Sequence, residues 1–238
     1  MDTEIKLYVN EALGHKKGIV ILEIGAHYGE DTKDMLAVFD EPKIYCFEPD
    51  PRNINLLKKT LDKSVSLYEV ALSNKDGEAE FLMSYAPYPK DKPIPEKYKW
   101  IGEDYRGFGL NNSGGSSLKR GHDTVKDAKS ITVKTKKLDT WSCEANVGYA
   151  DFIWMDVQGS ERDVIDGGRG LLRSTAFVWT EYGEMGYEGA MSKKQTVDLM
   201  FSLGFNLQTS RGQNMLFYNG KPEESPVALA WRVCQKDI

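Results

Sequence analysis

Four acids close what read as four buried strands, and they are the residues best placed to do chemistry: Glu23, Glu48, Asp156 and Glu181. Open α/β sheets bind ligands in the crevice beyond the carboxyl ends of their strands, so acids at those ends converge on one site. Glu23 stands two residues before the first glycine of Leu22-Glu23-Ile24-Gly25-Ala26-His27-Tyr28-Gly29. A dinucleotide site favours G-x-G-x-x-G, whose second glycine admits a pyrophosphate to backbone amides. His27 occupies that place here. The turn suits a ligand without phosphate and with a positively charged end, and S-adenosylmethionine, carrying a sulfonium and an ammonium, is such a ligand. On this reading Glu23 holds the ammonium group and Gly25 leaves room for the adenosyl portion. The competing reading is a tight turn with a structural glycine pair. Glu48 lies 19 residues after Gly29, where a carboxylate accepts hydrogen bonds from both ribose hydroxyls, a sugar that NAD also carries.

Asp156 sits at the mouth of the fourth parallel strand, where methyl donor and acceptor would meet. It is placed to orient an acceptor hydroxyl or take its proton, to bind a divalent cation with a neighbouring acid, or only to cap the helix near Gly159. Gln158 and Glu161 belong to the same turn, and Glu161 suits a helix N-terminus. His122, beside Arg120 and Asp123, is a candidate base, as is Glu181. His15 falls in a Lys-rich loop and His27 in the glycine turn. The three histidines show no H-x-H or H-x-x-x-H spacing, so no metal site is expected.

The elements that position these residues follow from periodicity. Residues 4–14 predict an amphipathic helix with Ile5, Val9 and Leu13 on one face, stopped by Gly14. The apolar run from Ile19 to Ile24 predicts a strand buried on both faces, followed by a helix carrying Met35, Leu36, Val38 and Phe39. Residues 43–48 predict a second strand, 53–61 a helix, and 65–72 a third strand turning through Ser73–Gly77 into a returning strand over 79–83. Residues 84–130 hold four of the nine prolines and many aromatics without periodicity. Such a stretch reads as an insertion folding over the site, with Tyr85, Tyr88, Trp100, Tyr105 and Phe108 as either an acceptor wall or a small core. Beyond it come a strand at 131–135, a helix from Leu138, a buried strand at 151–156, a helix ended by Gly167-Gly168, and a strand at 176–180. Ser192 then caps a helix, and 205–209 with 215–218 form a closing pair.

Length fits one α/β domain, 1–238, with 84–130 as its lid and acceptor-site insertion. A hydrophobic share of 40% beside 28% charged residues marks a soluble chain. No apolar run nears the roughly 20 residues that cross a bilayer, and Met1-Asp2-Thr3-Glu4 lacks signal-peptide character. The expectation is a cytoplasmic protein that needs no membrane. Cys46, Cys143 and Cys234, odd in number and without C-x-x-C, predict reduced thiols. A net charge of −5 excludes general nucleic-acid binding and leaves the oligomeric state open.

The chain resembles the FkbM family of S-adenosylmethionine-dependent methyltransferases. The resemblance runs through the glycine turn, Tyr45-Cys46-Phe47-Glu48-Pro49-Asp50-Pro51, Val70-Ala71-Leu72-Ser73, and Leu138-Asp139-Thr140-Trp141 leading to Asp156-Val157-Gln158-Gly159-Ser160-Glu161. Ser116-Ser117-Leu118 of the insertion adds to it. It implies a Rossmann-like, seven-stranded class I methyltransferase fold, mostly parallel, with helices on both faces and an insertion after the third strand. It implies O-methylation of a sugar or other small-molecule or glycan hydroxyl. It implies that Glu23, Gly25 and Gly29 line the methionine side, that Glu48 holds the ribose, that Ala71-Leu72 lies near the adenine and that Asp156 falls at the reaction edge; Ala26, His27, Pro49 and Asp156 are further cofactor-binding candidates. His27-Tyr28 and the length of the insertion depart from the family pattern. Two alternatives compete: an NAD(P)-dependent oxidoreductase or epimerase, whose Tyr-x-x-x-Lys spacing here (Tyr88, Lys92) is broken by Pro89, and a nucleotide-binding module without turnover.

Overall fold

A computed structural model describes residues 3–85, 88–107, 110–121, 129–183 and 186–220. In chain order the first half runs α1 (Thr3–Ala12), β1 (Val20–Ile24), α2 (Glu30–Val38), β2 (Lys43–Phe47), α3 (Pro51–Thr60), β3 (Ser66–Tyr68), β4 (Ala71–Leu72) and β5 (Gly77–Met83). The insertion contributes α4 (Asp104–Gly107) between 3-10 turns at Glu96–Ile101 and Leu110–Gly115. The second half runs β6 (Lys129–Lys136), α5 (Leu138–Ala145), β7 (Ala150–Met155), α6 (Glu161–Gly167), α7 (Arg169–Arg173), β8 (Thr175–Glu181), α8 (Lys193–Ser202), β9 (Asn206–Arg211) and β10 (Asn214–Tyr218). No helix among the described residues is long and apolar enough to cross a membrane.

Seven strands form one sheet in the order β3-β2-β1-β7-β8-β10-β9. Every described pairing is parallel except those of β10, which runs against both neighbours. This is the seven-stranded class I arrangement that the resemblance implies. The order reverses beside β1, so β1 and β7 diverge into helices on opposite faces and leave a crevice between their carboxyl ends. Strand alternation divides the core in two. Val20, Leu22, Ile24, Ile153 and Met155 pack with α5 to α8. Ile19, Ile21, Cys46, Phe152 and Trp154 pack with α1, α2 and α3.

Local chemistry sets the ends of the helices. Asp50 caps α3 by accepting from the Arg52 N–H at 2.9 Å, with Pro51 preset for the first turn. Ser192 and Gln195 form a reciprocal capping box on α8. Gly167, which ends α6, has no room for a side chain, because a Cβ would lie 2.1 Å from the Ser73 carbonyl oxygen.

Two expectations are corrected. The strand over 65–72 is broken: β3 joins the large sheet, whereas β4 pairs in parallel with β6 in a separate sheet of order β4-β6-β5. The break falls at Tyr68, whose carbonyl accepts from both Glu48 and Val70. The returning strand β5 consequently pairs antiparallel with β6 and not with the segment before it. The turn residue Asp76 instead accepts from the Lys137 N–H and the Thr140 hydroxyl at the start of α5.

Candidate active site

A cleft enclosing about 1110 Å³, part of it open to solvent, lies at the carboxyl ends of β1, β2 and β7. Its rim is chemically graded. Val70, Ala71, Leu72, Phe81 and Leu118 make one end apolar, Glu48 and Pro49 stand at the middle, and Glu30, Asp31 and Asp156 make the other end acidic. Ala26 and His27 from the glycine turn line it as well.

The amides of that turn are committed within the protein. Gly25 and Ala26 both donate to the Phe47 carbonyl, at 3.0 and 3.1 Å, and Gly29 donates to the Ala26 carbonyl at 2.7 Å. His27 N–H donates to Glu48 Oε2 at 2.8 Å and Tyr28 N–H to Glu30 Oε2 at 3.1 Å. An anion-binding turn needs free N–H groups aimed outward. Here none of those five is available, and three acids stand around the turn. Gly25 (φ +90°) is demanded by proximity, since a Cβ there would lie 1.9 Å from the Asp156 carbonyl oxygen. Its glycine holds the ends of β1 and β7 together.

Glu23 is not a lining residue. Strand alternation turns it onto the face of Ile21, where α2 and β2 cover it: it is 1% exposed and accepts from the Thr32 hydroxyl and, at 3.2 Å, the Cys46 thiol. Burial pushes its pKa up to about 8, so at neutral pH it is mostly uncharged. Gly29 also sits off the cleft, in left-handed conformation at the start of α2 and packed close to Leu57. Glu48 does line the cleft, with Oε1 accepting from the Asp50 N–H at 2.8 Å and from Asn53 at 3.3 Å. Burial first, then the Asp50 charge, raises it to about 7.

At the acidic end Asp156 opens onto the cleft, and burial of its surroundings raises its pKa. Glu181 is also raised, to about 8, by burial first and then by the charges of Asp156 and Glu161. It therefore holds a proton at neutral pH and shares it with Asp156. Gln158, in left-handed conformation (φ +53°), places its side-chain N–H₂ against Asp156 Oδ1 at 2.6 Å and Glu181 Oε2 at 3.2 Å. Its side-chain oxygen faces the Tyr187 hydroxyl at 2.8 Å. Glu161, the third acid within 4.8 Å, has Oε1 engaged by the N–H groups of Val157 and Gly159 and so acts at the helix start. His122 and Phe108 lie outside the described residues.

The insertion docks on this site at several points. Ser113 Oγ is 2.9 Å from His27 Nε2 and 2.5 Å from the Tyr28 hydroxyl. Ser117 donates to the Gln158 carbonyl at 2.7 Å. Arg52 ties Asp50 to the Ser84 carbonyl and the Ser116 hydroxyl. Its aromatics mostly make a small core: Tyr105 stacks on Tyr98 and meets Tyr88, against Tyr28 and Leu56. Tyr85 is exposed, and Trp100 lies under the Lys33 ammonium. Tyr98 alone of the insertion's described aromatics lines the cleft. Sequence reasoning had no signal for Tyr98, Ser113 or Tyr187, whose partners lie far along the chain.

Residues 23–207 match the family described as the Methyltransferase FkbM domain. The chain is 34% identical over 209 residues to 2-O-methyltransferase NoeI of Sinorhizobium fredii (strain NBRC 101917 / NGR234), an alignment covering 84% of this chain and 79% of NoeI. Among solved structures it is similar to magnesium protoporphyrin IX methyltransferase (ChlM) from Synechocystis PCC 6803 with bound SAM, at 7% identity and a TM-score of 0.46, over 90% of this chain and 76% of that one. Aeropyrum pernix fibrillarin in complex with S-adenosyl-L-methionine matches at 15% identity and a TM-score of 0.43, over 90% and 73%.

Proposed function

The chain belongs to the FkbM methyltransferase family, and from that premise we propose that it transfers a methyl group from S-adenosylmethionine to a hydroxyl of a sugar or another small-molecule or glycan acceptor. The observation that carries this reading is the Asp156–Glu181 carboxyl pair, of which Asp156 lines the cleft and both members are held by Gln158. The named relative is a 2-O-methyltransferase, which supports oxygen as the acceptor atom.

The cleft fits the donor. Its apolar end suits an adenine, the Glu48 carboxylate suits ribose hydroxyls, and its acidic end suits an ammonium and a sulfonium. A pyrophosphate would meet committed amides and a row of acids, which disfavours a dinucleotide. When bound, S-adenosylmethionine supplies a methyl group already activated by the sulfonium. The protein's share is alignment and proton removal. Asp156 accepts the proton of the acceptor hydroxyl as the oxygen bonds to the methyl carbon and the carbon–sulfur bond breaks, leaving a neutral thioether. Its raised pKa makes Asp156 a stronger base than an exposed carboxylate. Glu181, held beside Asp156 by the same Gln158 side chain, positions it for that transfer. The described part of the insertion closes over the cleft as a lid through Ser113 and Ser117 and excludes water.

Methyl-labelled S-adenosylmethionine incubated with a panel of saccharides and other hydroxylated acceptors tests the reading. An O-methylated product is expected, and no label transfer to any acceptor despite donor binding would favour a module without turnover. Asp156→Asn should lower turnover about 100-fold or more while leaving the Kd for S-adenosylhomocysteine unchanged. Unaltered turnover in that variant removes Asp156 from the base role.

A further inference from the structure

Lys6 is 0% exposed, yet it is a lysine on a helix that precedes the whole catalytic fold. Its Nζ lies 2.5 Å from Asp31 Oδ1, 3.3 Å from Asp34 Oδ2, and 4.4 Å from the ring centre of Trp154. Buried lysines are rare unless paired, and this one joins α1 to the first turn of α2 at the acidic end of the cleft. Asp31 and Trp154 both line that end, and the Asp31 side chain keeps 29% of its surface exposed.

We infer that Asp31, oriented by Lys6, binds the ammonium group at the amino-acid end of the methyl donor. The assignment rests on the S-adenosylmethionine reading above, and it gives Asp31 the part that the strand-end pattern gave to Glu23. Two observations separate the acids: Asp31 lines the cleft, whereas Glu23 is enclosed behind the turn by Thr32 and Cys46. The remaining cleft acid of this turn, Glu30, is engaged by His27 Nδ1 at 3.3 Å and by the Tyr28 N–H. Lys6 itself, fully covered, cannot touch the ligand and is a positioning residue.

The electrostatics explain why a cation is needed behind a cation site. Burial raises the pKa of Asp31, Glu30 and Asp34 raise it further, and Lys6 opposes them. Glu23, on β1, is itself mostly protonated at neutral pH. Without Lys6 the cluster would relieve its repulsion by taking up a proton, and Asp31 would lose the charge that an ammonium requires.

Calorimetric titration with S-adenosylhomocysteine and with 5′-methylthioadenosine, which lacks the amino-acid end, tests the assignment. Asp31→Asn and Lys6→Met should each raise the Kd for S-adenosylhomocysteine about tenfold or more, the loss of one charge-assisted hydrogen bond. The Kd for 5′-methylthioadenosine should stay within about twofold. In Lys6→Met the lost affinity should return as pH rises and Asp31 ionises, whereas Asp31→Asn should not recover. Equal weakening of both ligands would mean a merely structural role, and no weakening of either would also overturn the inference. Should Lys6→Met fail to fold, the near-isosteric Asp31→Asn still decides. Wild-type protein that binds neither ligand would instead refute the donor reading from which the subsite is drawn.

Discussion

A Cβ on residue 25 would lie 1.9 Å from the Asp156 carbonyl oxygen, in a backbone already at φ +90°. Gly25→Ala should therefore cost about 3 kcal/mol or more in urea unfolding, since backbone strain and a backbone collision add. Gly14 provides the contrast. It too has positive φ (+66°), but nothing lies within 4 Å of its Cβ site, so Gly14→Ala should cost only about 1 kcal/mol. Equal losses would mean that conformation, not the approach of β7, explains the glycine at 25. The period of two along β1 already carried the information that Glu23 shares a face with Ile21. What the alternation could not convey is that Thr32 of α2 covers Glu23 while Trp154, on the same face of the sheet, reaches the cleft, because that depends on where α2 and β7 lie.

At the scale of elements, Arg52 at the start of α3 makes several of the polar contacts that hold the insertion to the core. Its guanidinium spans the Asp50 carboxylate, whose side chain is 0% exposed, and reaches Ser84 and Ser116. Arg52→Gln leaves Asp50 buried without its counter-charge, and a loss of about 3 kcal/mol is expected. Because the same residue grips the insertion at Ser84 and at Ser116, limited proteolysis between them should also accelerate. Unchanged cleavage would show that Ser113 and the Tyr98–Tyr105 stack suffice for docking. The prolines and missing periodicity marked this stretch as an insertion. Its helical turns did not declare themselves, because each is short and depends on packing against Tyr28 and Leu56.

For the whole molecule, the buried acids set an unusual dependence of stability on pH. Folding raises Glu23 and Glu181 to about 8, and Glu48 and Glu161 to about 7, from the ordinary glutamate value of 4.5. Between those limits the folded state binds more protons than the unfolded chain, so unfolding free energy falls as pH rises. Below 4.5 the sign reverses, because Glu30 and Asp76 have lowered pKa values in the fold. The Tm of the ligand-free protein should be greatest near pH 5 and decline toward pH 8, as followed by circular dichroism. A flat profile would mean that the acids are hydrated and unshifted. Binding a cationic ligand favours their ionised forms, so donor binding should release protons into buffer.

The sequence alone determined the sheet, the glycine turn and the family likeness, for these rest on local signals: a β-branched apolar run, a glycine pair, a cap, and acids ending strands. Each is a property of a few neighbouring residues, and the pleat and the helical turn repeat it faithfully. Tertiary structure alone decided which acids face the ligand. Asp31 meets Lys6 across 25 positions and Gln158 meets Tyr187 across 29, separations that no local period encodes. The same packing that closes the core buries Glu23 and leaves Asp156 and Asp31 open to the cleft, because only the relative placement of α1, α2 and β7 settles where the sheet meets solvent.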